Sequence, residues 1–326
     1  MTISERAPGT VMSMGELLVD LIVTDGAPSL DLANTFVARS GGAPANVTVA
    51  LARLGIPAAF CGVAGADPFG TRLDRELSAE GVDTSRLRRT GDAATALAFA
   101  WKDSRGDGHF WILRGADTHL SPADAEAAGI EQLAALVIGS VSMSAQPSRS
   151  AIERAVILAN DASVPVVFDV NLRPTVWPAL ELAQECCDHG MTHSTLVKLS
   201  LDDAKGLFGE AIEADEAIAE VLGRGPRFVV LTDGDRGCWF ANASHREPEF
   251  VPAYQVAAIE PTGAGDAFLA GIIARLLDSG WTRVTREDAM FAAAAGALAT
   301  TRPGAWDGLP TREHLNDFLR QQAATR

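Results

Sequence analysis

Short apolar runs alternate with amphipathic stretches along most of the chain. Val11 to Met14, Ala59 to Val63, Leu136 to Ile138, Val166 to Asp169, Leu196 to Leu199 and Phe228 to Thr232 read as strands. They are apolar throughout instead of alternating, as strands become when both faces are covered by helices. Between them, Ala45 to Leu54, Phe69 to Ala79, Arg149 to Asn160, Asp215 to Leu222 and Ala267 to Leu277 carry helical spacing. This order predicts an α/β fold with a doubly wound, mostly parallel sheet. No repeat, low-complexity tract or linker interrupts it, which predicts a single domain over residues 1–326.

Two regions break the pattern. Leu17 to Arg39 alternates in short bursts around a turn at Thr24 to Pro28. Ala93 to Arg114 reads as two strands, Ala96 to Lys102 and Phe110 to Leu113, joined by a turn at Asp103 to Gly108. Together, residues 17–40 and 93–114 predict a small sheet projecting from the main one. Its aromatic residues are Phe99, Trp101, Phe110 and Trp111.

Composition narrows the function. Apolar residues make up 47% of the chain, enough for a large core. The formal net charge of −15 argues against nucleic acid, because phosphate binding needs a basic face. Cys61, Cys186, Cys187 and Cys238 show no metal spacing and read as reduced packing thiols of a cytoplasmic protein. The polar stretch Met1 to Thr10 reads as neither a signal peptide nor an anchor. No apolar run is long enough to span a membrane.

The most informative stretch is Glu260-Pro261-Thr262-Gly263-Ala264-Gly265-Asp266-Ala267-Phe268, which leads into a helix. A Gly-x-Gly turn at a helix start aims unpaired backbone N–H groups outward, and the helix dipole adds positive charge there. Asp266 falls in the first turn, where the dipole is expected to keep it ionised. A carboxylate beside an anion hole can take a proton from a hydroxyl while the hole steadies a phosphoryl group. Rival motifs fail on spacing. There is no Walker string, and Phe268 stands where a dinucleotide fingerprint needs its third glycine, which argues against a dehydrogenase.

With Gly41-Gly42-Ala43-Pro44-Ala45-Asn46-Val47 near the N-terminus, this segment resembles the paired motifs of the PfkB, or ribokinase-like, carbohydrate kinases. The likeness runs from Gly15-Glu16 to Gly304-Ala305. It departs from the family pattern at Glu260, Pro261, Asp203 and Ala293. The segments around Gly41, Asp67 to Gly70, Arg114 to Asp117, Ala145 to Arg149, Phe168 to Arg173 and Lys198 look most like bacterial fructokinases.

The resemblance implies a transfer from MgATP to a primary hydroxyl, with Asp266 as base and the amides of Gly263, Ala264 and Gly265 as the hole. Arg173 follows a predicted strand end, where ligands of such sheets bind, and its fork of donors suits a sugar or the transferring phosphate, which makes it a further candidate catalytic residue. The sugar falls to Asp20, Gly41, Gly42, Asn46, Phe99 and Arg114 under a lid made of the small sheet. The nucleotide falls to Lys198, Ser200, Thr232, Gly234, Gly237, Gly265 and Ala293. Asp203 would order the water shell of Mg²⁺, while the neighbouring Asp202 reads as a helix-capping acid. In some members a monovalent cation such as K⁺ binds between the region of Glu260 and the loop Arg302 to Ala305. In some, too, the lid carries a dimer contact, which makes a homodimer through the lid an expectation. Fructose is the first sugar implied. Aminoimidazole riboside, 2-keto-3-deoxygluconate and ribose remain alternatives, as does a non-catalytic binding protein of the same fold.

Overall fold

A computed structural model describes residues 9–105 and 108–324. The expectations for the N-terminal segment before Gly9, and for Gly106 and Asp107 in the lid turn, lie outside the described residues. Thirteen strands appear in chain order: β1 Val11–Met14, β2 Leu18–Val23, β3 Phe36–Gly41, β4 Ala58–Gly65, β5 Asp83–Thr90, β6 Ala96–Lys102, β7 Gly108–Leu113, β8 Ala135–Gly139, β9 Val166–Asp169, β10 Leu196–Ser200, β11 Phe228–Asp233, β12 Gly237–Asn242 and β13 His245–Pro252. The helices are α1 Ala43–Arg53, α2 Pro68–Ala79, α3 Pro122–Glu126, α4 Ser148–Asp161, α5 Leu180–Thr192, α6 Leu201–Phe208, α7 Ala214–Gly223, α8 Ala264–Asp278, α9 Arg286–Ala299 and α10 Arg312–Ala324.

The main sheet has nine strands in the order β13-β12-β11-β10-β9-β8-β1-β4-β5. It is parallel except for the β11-β12-β13 hairpins. Side chains of successive strand residues point to opposite faces, so each continuous apolar run feeds two cores. Ala135 and Val137 of β8 join one, with α1, α8 and α9. Leu136 and Ile138 join the other, with α4, α5 and α7. The doubly wound reading holds. The four cysteines are buried and unpaired. Burial pushes the thiols of Cys61, Cys187 and Cys238 up to about 12, which leaves them unreactive.

β1 has β4 on one side and β8 on the other, so the winding reverses between β1 and β8. Ligands of such sheets bind outside the carboxyl ends of the strands at that reversal. Gly15 and Glu16 follow β1, Asp169 closes β9, Lys198 and Ser200 close β10, and Thr232 lies near the end of β11.

The second sheet has the order β3-β2-β6-β7 and is the projecting sheet foreseen for residues 17–40 and 93–114. Its β2–β6 pair is parallel, and its two outer pairs are antiparallel. No helix of the described residues is long and apolar enough to cross a membrane.

Candidate active site

Gly263 caps α8 with φ 83, a left-handed conformation that favours glycine. A Cβ there would also meet the Ala305 carbonyl oxygen at 2.7 Å. The resulting turn presents the amides of Gly263, Gly265 and Asp266, which have no backbone acceptor among the described residues. The Ala264 amide instead turns inward onto the Pro261 carbonyl at 3.1 Å. This corrects the expected hole in one member: Ala264 shapes the turn and does not aim its N–H outward.

Asp266 is buried, and burial decides its charge. Desolvation, with the nearby Asp169 carboxylate, pushes its pKa up to about 6, against the opposing effects of Lys198, an Asn46 hydrogen bond and Arg173. The helix dipole therefore does not hold this acid low, as the first-turn position had suggested. At neutral pH it is still mainly the carboxylate a base must be. Asn46, on the buried side of α1, donates from Nδ2 to Asp266 Oδ2 at 2.8 Å. Its Oδ1 accepts from the indole Nε1 of Trp306 at 2.7 Å.

Lys198 and Asp169 form a buried ion pair, Nζ to Oδ1 2.9 Å, at the ends of adjacent strands. Burial works against the ammonium, but Asp169, Asp203 and Asp266 outweigh it and hold Lys198 above the ordinary lysine pKa. The ammonium lies against the Gly263–Gly265 turn: a Cβ on Gly265 would be 3.0 Å from Nζ. Arg173 follows the end of β9 and bonds the Leu172 carbonyl at 3.0 Å. Its charge is felt by both Asp169 and Asp266.

Asp203 differs from its expected setting. It is the acid of a capping box on α6, exchanging bonds with Ser200 at 2.8 and 3.0 Å. Its other oxygen accepts from the Leu172 amide at 2.8 Å. The capping role given to Asp202 thus belongs to Asp203. Asp169 Oδ2, by contrast, is buried with no partner in the structure. Among the described residues no cluster of three or more His, Cys, Asp or Glu could enclose an ion. Mg²⁺ binds nucleotides through few protein ligands and keeps waters, and one orphaned carboxylate oxygen beside the Gly263–Gly265 turn fits that mode.

Asp20 of β2 is buried and has the charges of Glu260 and Asp266 for neighbours. Burial first, then those carboxylates, push it up to about 7. Gly41 and Gly42 permit close approach of backbone: Cβ atoms there would meet Asp20 Oδ2 at 2.1 Å and the Glu16 carbonyl at 2.5 Å. Residues paired across strands share a face, so Asp20 lies with Ala98 and Ile112. Phe99 pairs with Leu21 and Trp111 on the opposite face. There it stacks on Trp111 at 5.5 Å and meets Phe36 edge-on. The expectation that Phe99 contacts sugar is corrected. The register of β2 on β6 decides this, and the sequence alone does not give it.

Arg114 spends Nε on Asp117 and Nη1 on the Val141 carbonyl and Ser144. Its Nη2 is buried without a partner. Glu16, which sequence reading used only as a motif residue, is buried at the winding reversal and accepts from Ser142 Oγ at 2.6 Å.

Beside the Gly263–Gly265 turn opens a cavity of about 440 Å³ lined by Thr232, Gly234, Gly237, Gly265 and Ala293, with Phe268 and Tyr254. Five of the residues expected at the nucleotide therefore line one cavity. Lys198 and Ser200 stand on the neighbouring strand, Ser200 in register with Thr232. Glu260 ties this mouth to the next loop, accepting from Thr262 Oγ1 at 2.7 Å and from the Gly304 amide at 3.0 Å.

The sequence profile of the pfkB family carbohydrate kinases matches residues 9–312. Fructokinase-1 of Oryza sativa subsp. japonica is 35% identical over 307 residues, 92% of this chain and 94% of its own. Fructokinase-1 of Zea mays is 34% identical over 316 residues, 95% and 97% of the two chains. The crystal structure of fructokinase with bound ATP from Xylella fastidiosa matches with a TM-score of 0.86 at 28% identity, over 96% of this chain and 99% of that one. A fructokinase double mutant from Vibrio cholerae O395, solved with fructose, ADP and potassium, matches with a TM-score of 0.84 at 30% identity, over 96% and 99%. With a family match across almost its whole length, this chain belongs to the pfkB carbohydrate kinases and is a sugar phosphotransferase.

Proposed function

We propose that this enzyme phosphorylates fructose on a primary hydroxyl, giving fructose 6-phosphate and ADP. One observation carries the reading: the buried Asp266 carboxylate follows directly on the Gly263–Gly265 turn, has Asp20 within electrostatic reach, and adjoins a cavity lined by Ala264 and Gly265 of that turn. Asp266 takes the hydroxyl proton. The sugar oxygen forms its bond to the γ-phosphorus as the bond to the β-phosphate oxygen breaks, and ADP leaves. The amides of Gly263 and Gly265, with Lys198 and Arg173, neutralise the charge on the phosphoryl oxygens. Mg²⁺, when bound with ATP, would shield the polyphosphate; Asp169 Oδ2, which has no partner among the described residues, would be open to its waters, while Asp203, whose oxygens already accept from the Ser200 and Leu172 amides, would act only through its remaining lone pairs.

Asp20, with the Gly41–Gly42 backbone, would take sugar hydroxyls. Arg114 Nη2 and the second lone pair of Asn46 Oδ1 offer further polar contacts. Support for fructose comes from the fructokinases among the relatives and from the fructose held in the Vibrio structure. The K⁺ of that structure has a competitor here, because the Glu260 carboxylate already joins its own loop to Gly304. Exposed Phe110, Trp111 and Leu113 on β7 support pairing of two copies through the lid. Sedimentation of the wild type against Trp111→Ser decides that point: an unchanged state would end it.

The activity is tested by coupled ADP release with MgATP over fructose, ribose, 2-keto-3-deoxygluconate and aminoimidazole riboside. Fructose turnover that collapses in Asp266→Ala is the expected result. Preference for another sugar keeps the base and changes the substrate. ATP binding without turnover on any sugar overturns the reading.

A further inference from the structure

Trp306 lies in the segment after Gly304, far from the motifs that carry the chemistry, yet its indole reaches the base through one side chain. An indole N–H can only donate, so the Asn46 atom facing it at 2.7 Å must be Oδ1. That fixes the other end of the amide: Nδ2 faces Asp266 Oδ2 at 2.8 Å. All three residues are buried, which excludes the water that could otherwise turn the amide over.

Trp306 is itself held from behind. Arg53 Nη1 donates to the Trp306 carbonyl at 2.6 Å and to the Leu309 carbonyl at 2.9 Å. The other side of the guanidinium is gripped by Glu80 at 2.8 and 2.7 Å. Asn46 and Arg53 are seven residues apart on α1, so they lie on one face of that helix. The helix thus holds Trp306 at two points, indole and carbonyl. Glu260 fixes the near end of the same segment at Gly304.

We propose that Trp306 is a positioning residue: its indole N–H locks the Asn46 amide so that Nδ2 occupies Asp266 Oδ2, leaving Oδ1 as the oxygen that meets the sugar hydroxyl. This rests on Asp266 being the base. Two consequences follow from the orientation. A donated N–H favours the carboxylate over the acid. A reversed amide would present Oδ1, repel the carboxylate, and accept a hydrogen bond from the protonated form. Removing the indole N–H therefore moves Asp266 toward protonation and lets its reactive oxygen wander.

The test uses Trp306→Phe, which keeps an aromatic ring and removes the donor. Asp266 is titrated by carbon NMR of protein labelled at aspartate carboxyls, its signal identified by Asp266→Asn. The expected result is an upward move of the Asp266 midpoint in Trp306→Phe, with the acid limb of kcat/KM moving the same way. At pH 6 turnover falls about 3- to 10-fold, the worth of one net hydrogen bond, and less at pH 8. In an Asn46→Ala background, Trp306→Phe adds no further move, because the two act in series. As a second measurement, Asn46→Ala in otherwise intact protein speeds hydrogen exchange of the Trp306 indole N–H alone among the tryptophans. An unchanged Asp266 midpoint in folded Trp306→Phe overturns the proposal, as does an equal move in the Asn46→Ala background. The titration needs no substrate, so failure of every sugar in the turnover panel would strike the fructose reading and leave this result standing.

Discussion

Gly41 lies so close to Asp20 that a Cβ on it would come within 2.1 Å of Asp20 Oδ2. Gly41 ends β3, and Asp20 is in β2 beside it. No side chain fits between the strand end and the carboxylate, so the glycine sets where the carboxylate stands. Gly41→Ala should displace Asp20 and weaken sugar capture while the nucleotide cavity stays intact. The expected outcome is a fall of about 10- to 100-fold in kcat/KM for the sugar, the scale of a lost hydrogen bond to a charged group. ATP affinity, read by calorimetry, should stay within about twofold. A normal sugar KM in this variant would remove Asp20 from the site.

The acid limb of the rate should belong to two carboxylates. Burial pushes Asp266 up to about 6 and Asp20 up to about 7. A base works only when ionised, so kcat/KM should drop as pH falls through this window and hold steady above it. The two groups feel each other, so the limb reports values of the pair. Asp20→Asn should leave a limb that starts lower, near 6. Asp266→Asn should lose about 100- to 10,000-fold and show no limb from that residue. A pH profile that stays flat down to pH 5 in the wild type would remove Asp266 as the base.

Local signals made most of this legible. Continuous apolar runs gave the central strands because each feeds two cores. The phosphoryl turn was legible because Gly263 and Gly265 are demanded by backbone geometry and close approach, and such demands leave glycines in the sequence. β5 carries no apolar signal because Asp83–Thr90 is mostly polar, an edge strand paired with β4 on one side only and tied down by Leu87 packed against the core and by the Arg88 and Arg89 hydrogen bonds. α3, α5 and α10 lack an apolar stripe clear enough to read from the sequence. α6 is signalled only by the capping acid read at Asp202; its full start signal, Ser200 with Asp203 three residues on, lies in the string assigned to the nucleotide. The chain of contacts from Trp306 to Asn46 and from Asn46 to Asp266 joins positions at both ends of the chain. A tryptophan contact at that separation leaves no local pattern. Phe99 is placed by the register of β2 on β6, a parallel pairing of strands far apart in the sequence that leaves no local pattern either.

Glu16 gives a stability prediction with a definite sign. It is buried at the winding reversal, and burial pushes its pKa up to about 7 even though Ser142 and Arg114 act to lower it. In the unfolded chain a glutamate titrates near 4.3. Below that value both states are neutral, and burial of the acid carries no ionisation cost. As pH rises from there to about 7 the unfolded chain ionises while the fold still holds the proton, so the stability present at low pH is lost across this window and levels off once the folded state ionises too. Glu16→Gln removes the titration and keeps an acceptor for Ser142. Its stability relative to wild type should therefore improve with pH, by up to about 3 kcal/mol between pH 4 and pH 8. Asp20 and Asp266 shift with the same sign but are common to both proteins and cancel in the difference. Urea unfolding of the pair at pH 5 and pH 8 measures it. A difference that does not change with pH would mean that Glu16 ionises as freely in the fold as in water.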